Sequence, residues 1–134
     1  MITLQNYLTA SGKYPERATH PEATDEVKAN AEALLEKVNN FLAELGIDNP
    51  IVSSGFRPSD VNAALANSAK KSLHMQGRAI DIADPHGELD KLIEANNELK
   101  KKYGLWQESP AATSTWAHLD DKDRGTRPEN IFIP

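Results

Sequence analysis

From Thr24 to Leu45, apolar residues return at every third or fourth position: Val27, Ala31, Leu34, Leu35, Val38, Phe41, Leu42 and Leu45. That spacing draws one apolar stripe along an α-helix, and such a stripe is stable only when another element covers it. Thr24 has an N-capping side chain, Asp25 and Glu26 suit the positive end of the helix dipole, and Gly46 suits the residue that stops a helix. A helix over 24–45 is therefore expected, with the role of scaffold. A chain of 134 residues is long enough for one core and too short for two, so a single domain over 1–134 is expected around it.

The remaining segments are shorter. The first 23 residues contain Gly12, Pro15 and Pro21 and read as a brief helix or turn followed by loop. Residues 51–56 open on β-branched Ile51 and Val52 and lie between Pro50 and Pro58, which predicts a strand. Ser59 or Asp60 can cap a helix through 61–66. Residues 78–82 alternate as a strand does, and so do 116–120. A second amphipathic helix is expected over 87–102, with Leu89, Leu92, Ile93, Asn96 and Leu99 on one side. Its closing triplet, Lys100, Lys101 and Lys102, suits the negative end of a dipole and reads as a solvated helix end. The tail from Arg127 is expected to pack Ile131, Phe132 and Ile133 onto the core. The predicted fold class is α+β, a small antiparallel sheet flanked by helices.

Composition narrows the function. Hydrophobic content of 39% and charged content of 26% describe an ordinary globular chain. No apolar run reaches the roughly 18 residues of a membrane helix, so no membrane partner is expected. The N-terminus lacks a basic segment followed by an apolar run, which predicts a protein made in a cytoplasm without a signal peptide. A net charge of −5 argues against nucleic acid as a partner. Because there are no cysteines, disulfides and thiolate ligands are excluded, and any zinc would be held by His with Asp or Glu.

Two histidines and a carboxylate stand out as such a set: His74, Asp81 and His118. Three protein ligands leave a fourth position open, which is the pattern of catalytic rather than structural zinc. His74 and Asp81 are seven apart, which is two helical turns or roughly 10 Å, whereas zinc ligands lie about 2 Å from the ion. The chain has to fold back between them, and Gly77 permits a tight reversal. Beyond that turn, alternation puts Ala79, Asp81 and Ala83 on one face and Ile80 and Ile82 on the other. In 116–120 it puts Trp116, His118 and Asp120 on one face. Two neighbouring strands would then present Asp81 and His118 to one point, with His74 arriving from the loop.

The ordered pieces Ser54-Gly55-Phe56-Arg57-Pro58, Asn62, Lys70-Lys71-Ser72-Leu73-His74-Met75-Gln76-Gly77-Arg78-Ala79-Ile80-Asp81-Ile82 and Trp116-Ala117-His118 resemble the zinc D-Ala-D-Ala peptidase (M15) family. That family includes carboxypeptidases, dipeptidases and phage L-alanyl-D-glutamate endolysins, with the hedgehog signalling domain as a structural relative. The likeness runs from about residue 50 to 120, and S-x-H-x-x-G-x-A-x-D is its specific core. More loosely, Met1 to Leu4, Tyr14-Pro15 and the long helix resemble small phage-encoded members.

The resemblance implies one Zn²⁺ held by His74, Asp81 and His118, with Arg57 steadying a substrate carboxylate or developing oxyanion. A guanidinium is a permanent charge with a bidentate fork for such groups. Ser72 is implied within the site, and Trp116 and Trp106 are candidates for the cleft wall or for the core. His20 and His86 match no motif position and read as surface residues. The general base departs from the family pattern. Members commonly carry an acid three or about six residues before the last histidine, where this chain has Thr115 and Ala112. Glu108 is the nearest upstream carboxylate, with 111–114 as inserted residues, and Asp120 is the alternative. The implied function is hydrolysis of a peptidoglycan stem peptide, L-Ala–D-Glu favoured, by a monomeric phage endolysin. Such an enzyme waits in the host cytoplasm and reaches the wall after membrane permeabilisation. A D,D-carboxypeptidase or dipeptidase, or a non-catalytic zinc-containing binding module, are the alternatives.

Overall fold

The computed structural model describes residues 1–65 and 72–134. Helix α2, Asp25–Glu44, follows the stripe: Thr24 accepts a hydrogen bond from the Val27 N–H at its start, and Gly46 adopts φ 76° just past its end. Its buried face is Ala31, Leu34, Leu35, Val38, Phe41 and Leu42. Each fully buried Leu or Phe there contributes about 1.5–3 kcal/mol through the hydrophobic effect. Helix α1, Leu4–Thr9, is capped by Thr3 and lies against α2, where the Asn39 side chain pairs with the Ile2 backbone. The Tyr7 hydroxyl, fully buried, donates to the Ala79 carbonyl at 2.8 Å and so ties α1 to the sheet.

The sheet has five strands in the order β1-β2-β4-β3-β5, namely Val52–Ser54, Ala79–Ala83, Trp116–Asp120, Trp106–Glu108 and Ile131–Phe132. All neighbours are antiparallel except β3 and β5, which pair in parallel, so the expected α+β architecture holds with a mixed sheet. Val52, Ile80, Ile82, Ala117 and Leu119 join the core beneath the helices. The opposite face carries the polar residues.

Four local expectations are corrected. Helix α3, Ser59–Ala64, begins one residue early: Pro58 is the capping position, and the Glu22 carboxylate receives both the Ser59 N–H and hydroxyl. Ala66, expected in that helix, and Lys70 and Lys71 lie outside the described residues. The helix expected over 87–102 is two, α4 (Glu88–Glu94) and α5 (Asn97–Tyr103). Asn96 breaks it: its side-chain amide donates to the Leu92 carbonyl at 2.7 Å, a bond that competes with helix continuation.

Lys100 is not a solvated helix end, since it is 0% exposed. It donates to Gln107 Oε1, Gln107 donates to Asp90, and Thr113 also donates to Asp90. Burial lowers the Lys100 pKa to about 8, against the pull of Glu94, Glu129 and Asp90. Lys101 and Lys102 do remain outside, paired with Glu98 and Glu44. In the tail, Ile131 and Phe132 form β5 and are half-buried outside the core cluster, and Ile133 is 86% exposed.

Candidate metal centre

Register assembles the polar face. Ser54 pairs with Asp81, Asp81 with His118, and Glu108 with Phe132. The pairs Trp106–Asp120 and Gln107–Leu119 carry forward by one residue to put Glu108 across from His118. Ser54, Asp81, His118, Glu108 and Phe132 therefore form one row across all five strands. Side chains opposite one another on adjacent strands have Cβ atoms about 4.5–5.5 Å apart, close enough to share chemistry.

His74 joins the row from above. It lies in a single 3₁₀ turn, Leu73–Gln76, that ends on Gly77 at φ 75°. Gly77 is pressed against α2: a Cβ there would lie 2.4 Å from the Val27 carbonyl oxygen. The Asn30 side chain donates to the Gln76 carbonyl at 3.0 Å, so the long helix holds this turn from below. The Ser72 hydroxyl accepts the His74 N–H at 3.2 Å and so caps the turn. His74 Nδ1 meets the Gly55 carbonyl at 2.8 Å, which makes it the protonated nitrogen and turns the Nε2 lone pair inward.

The ligand atoms of His74, Asp81 and His118 all lie within 4.8 Å of one another. His74 Nε2 is 3.3 Å from Asp81 Oδ2, and His118 Nδ1 is 2.8 Å from Asp81 Oδ1. Atoms sharing a tetrahedral zinc at about 2.0–2.1 Å stand roughly 3.3 Å apart, so the cluster is of the right size for that ion. Two imidazoles and a carboxylate are also donors that zinc takes.

The electrostatics suit cation capture. Burial opposes ionisation of Asp81, yet the His74 and His118 charges and hydrogen bonds hold its carboxyl well below the usual carboxylate range. Burial also works against protonated His118, but hydrogen bonds to Asp120 and Asp81 prevail and raise its pKa to about 10.

Around the cluster, Arg57 Nη2 stands 3.9 Å from Asp81 Oδ2, held by bonds to Asn62 (3.1 Å) and Ser54 (3.4 Å). Glu108 is half-buried, and its pKa is raised chiefly by burial, with His118, Asp81, His74 and Asp120 all acting on its charge. Asp120 contacts the other side of the His118 ring, Oδ2 to Nε2 at 2.9 Å. Trp116 is half-buried at the end of the same strand face, opposite Ala83, whereas Trp106 is buried. His86 is exposed, as expected of a surface residue; His20 is half-buried beside Phe56 and accepts the Glu22 N–H.

Sequence reasoning did not single out the Gly55 carbonyl, Arg124 or Phe132. Arg124 chelates Asp120, and Phe132 presents an edge to His118 at 5.7 Å between centroids. Asp120 ends β4 and Arg124 follows in the loop, so no sequence periodicity signals this pair.

Comparison with curated proteins gives no match, and neither does comparison with solved structures. A family model described as Peptidase M15 matches residues 6–120. That span includes Arg57, all three clustered residues and Glu108. With most of the chain matched and the histidine–aspartate–histidine cluster assembled on its sheet, the chain belongs to the M15 peptidase family.

Proposed function

We propose that the protein is a zinc peptidase that hydrolyses an amide bond in the stem peptide of peptidoglycan, the L-Ala–D-Glu bond in preference to D,D bonds. The observation that carries this reading is the row Asp81, His118, Glu108 with His74 above it. It sets a three-donor cluster beside a carboxyl group whose proton affinity is raised. His74 through Nε2, Asp81, and His118 through Nδ1 would hold the ion. Bound there, zinc supplies a Lewis acid for the scissile carbonyl and acidifies water toward neutral pH.

The chain's own residues do the rest. Glu108 accepts the proton of the attacking water and hands it to the leaving amine, and a raised pKa suits a group that must both take and return a proton. Arg57 lies beside Asp81 with its fork held by Asn62 and Ser54, ready to bind a substrate carboxylate or the oxygen that gains charge. Trp116 walls the open face. The likeness of the opening residues to small phage members supports an endolysin that meets the wall once the membrane is permeabilised.

The test is mass spectrometry of Gram-negative peptidoglycan incubated with the protein, with and without a chelator, and with Glu108→Gln. The expected result is metal-dependent release of stem peptides beginning at D-Glu. Glu108→Gln should keep its zinc and turn over about 10²–10⁴-fold more slowly. Release of D-Ala instead would move the reading to a D,D-carboxypeptidase. No cleavage by the zinc-loaded protein would make it a binding module.

A further inference from the structure

His118 has a polar partner that the chemistry above leaves unused. Asp120 is 0% exposed, and its Oδ2 sits 2.9 Å from His118 Nε2. The rest of that carboxylate is already engaged. Arg124 donates to Oδ1 at 2.6 Å and to Oδ2 at 3.1 Å, and the Lys122 N–H reaches Oδ1 at 3.2 Å. Arg124 in turn lies 3.6 Å from the centre of the Phe132 ring, and Phe132 meets the edge of His118 at 5.7 Å. Four side chains close a ring: His118, Asp120, Arg124 and Phe132. The family match ends at residue 120, and Arg124 and Phe132 lie beyond it.

A buried carboxylate with its oxygens occupied is poorly suited to collecting a proton from water. It is well suited to accepting an imidazole N–H, because an anion beside one ring nitrogen fixes the proton there and leaves the lone pair on the other. We infer that Asp120, backed by Arg124 and roofed by Phe132, is the positioning residue for His118. It holds the ring with its proton on Nε2 and Nδ1 aimed at Asp81 and the ion. The inference rests on the zinc reading above and assigns Asp120 a role other than base.

The test uses zinc-loaded full chain and needs no substrate. Wild type, Asp120→Asn and Arg124→Met are titrated with zinc against a chromophoric chelator, and histidine ring nitrogens are followed by ¹⁵N–¹H NMR. In wild type, His118 should show a protected Nε2–H and a metal-bound Nδ1. Asp120→Asn should weaken zinc binding by about 10–100-fold and lose that protected resonance. Arg124→Met, which keeps an apolar stem over Phe132, should shift both readouts in the same direction by less. Zinc affinity in Asp120→Asn within about twofold of wild type, or a wild-type His118 protonated on Nδ1, overturns the assignment. If Asp120→Asn fails to fold, an Arg124→Met protein with unchanged affinity and resonance overturns it equally. A wild type that takes up no zinc would defeat this assignment together with the metal reading, whereas uptake insensitive to these variants defeats this one alone.

Discussion

Replacing Gly77 by alanine tests whether the long helix truly sets the position of the turn that carries His74. Gly77 has φ 75°, and an alanine Cβ there would lie 2.4 Å from the Val27 carbonyl oxygen and 3.3 Å from the Ala31 nitrogen. The left-handed backbone alone costs an alanine about 1–2 kcal/mol. Relieving a backbone contact that short requires the turn and the helix to separate, and overpacking of this kind costs about 1–3 kcal/mol more. Gly104 supplies the control: its φ is 66°, but nothing lies within 4 Å of its would-be Cβ. Gly104→Ala should therefore lose about 1–2 kcal/mol and Gly77→Ala about 2–5 kcal/mol. At about 4 °C per kcal/mol for a chain of this length, Tm falls by about 4–8 °C and about 8–20 °C respectively. Both are read by thermal and urea unfolding in chelator and again in saturating zinc. Because the turn carries His74, Gly77→Ala should also gain less from zinc than wild type does. Equal losses in the two variants would refute the idea that α2 clamps the turn.

Two further outcomes follow from the same geometry. Arg57→Lys keeps the charge but gives up the two-pronged fork, so kcat/KM on stem peptide should fall about 10–100-fold with zinc affinity unchanged; an unchanged kcat/KM would remove Arg57 from substrate binding. Burial lowers the pKa of Lys100 from 10.5 to about 8, so between those values the unfolded chain binds more protons than the folded one. Zinc-loaded protein should then gain up to about 1.4 kcal/mol of stability per pH unit across that window, with no such gain below it. Lys100→Met should lack the rise, and parallel pH curves from urea denaturation of the two proteins would refute the buried-lysine account.

What the sequence disclosed tracks how one-sided each element's burial is. Helix α2 buries one stripe, and β2 and β4 send large apolar residues to the core face while Ala79, Asp81 and Ala83 or Trp116, His118 and Asp120 take the other, so their periods were readable. The alternation in β2 and β4 carried the Asp81–His118 pairing with it, and the structure has those two residues as register partners. Strand β3 escaped notice because it is three residues long and its inward residue is Gln107, polar yet 0% exposed. The Lys100–Gln107–Asp90–Thr113 network satisfies its members internally, and a pattern reader that expects charges outside has no access to such a bond set. The α4–α5 break was hidden since the apolar spacing continues through Asn96 while the backbone does not. Asp120 was rightly put on the His118 face, but alternation alone does not say whether a carboxylate two residues on faces the cleft or the back of the ring.

The row across the sheet also fixes how the site can be lost. Its members come from residues 54, 81, 118, 108 and 132, so every neighbouring pair depends on contacts between distant parts of the chain. A slip of β4 by a single residue would turn His118 toward the helices and expose Leu119 in its stead. The three donors come from the turn before β2, from β2 and from β4, so no fragment lacking either central strand presents the whole set. If zinc binds as proposed, its exchange rate becomes a clock for the parting of β2 from β4 or the lifting of the His74 turn.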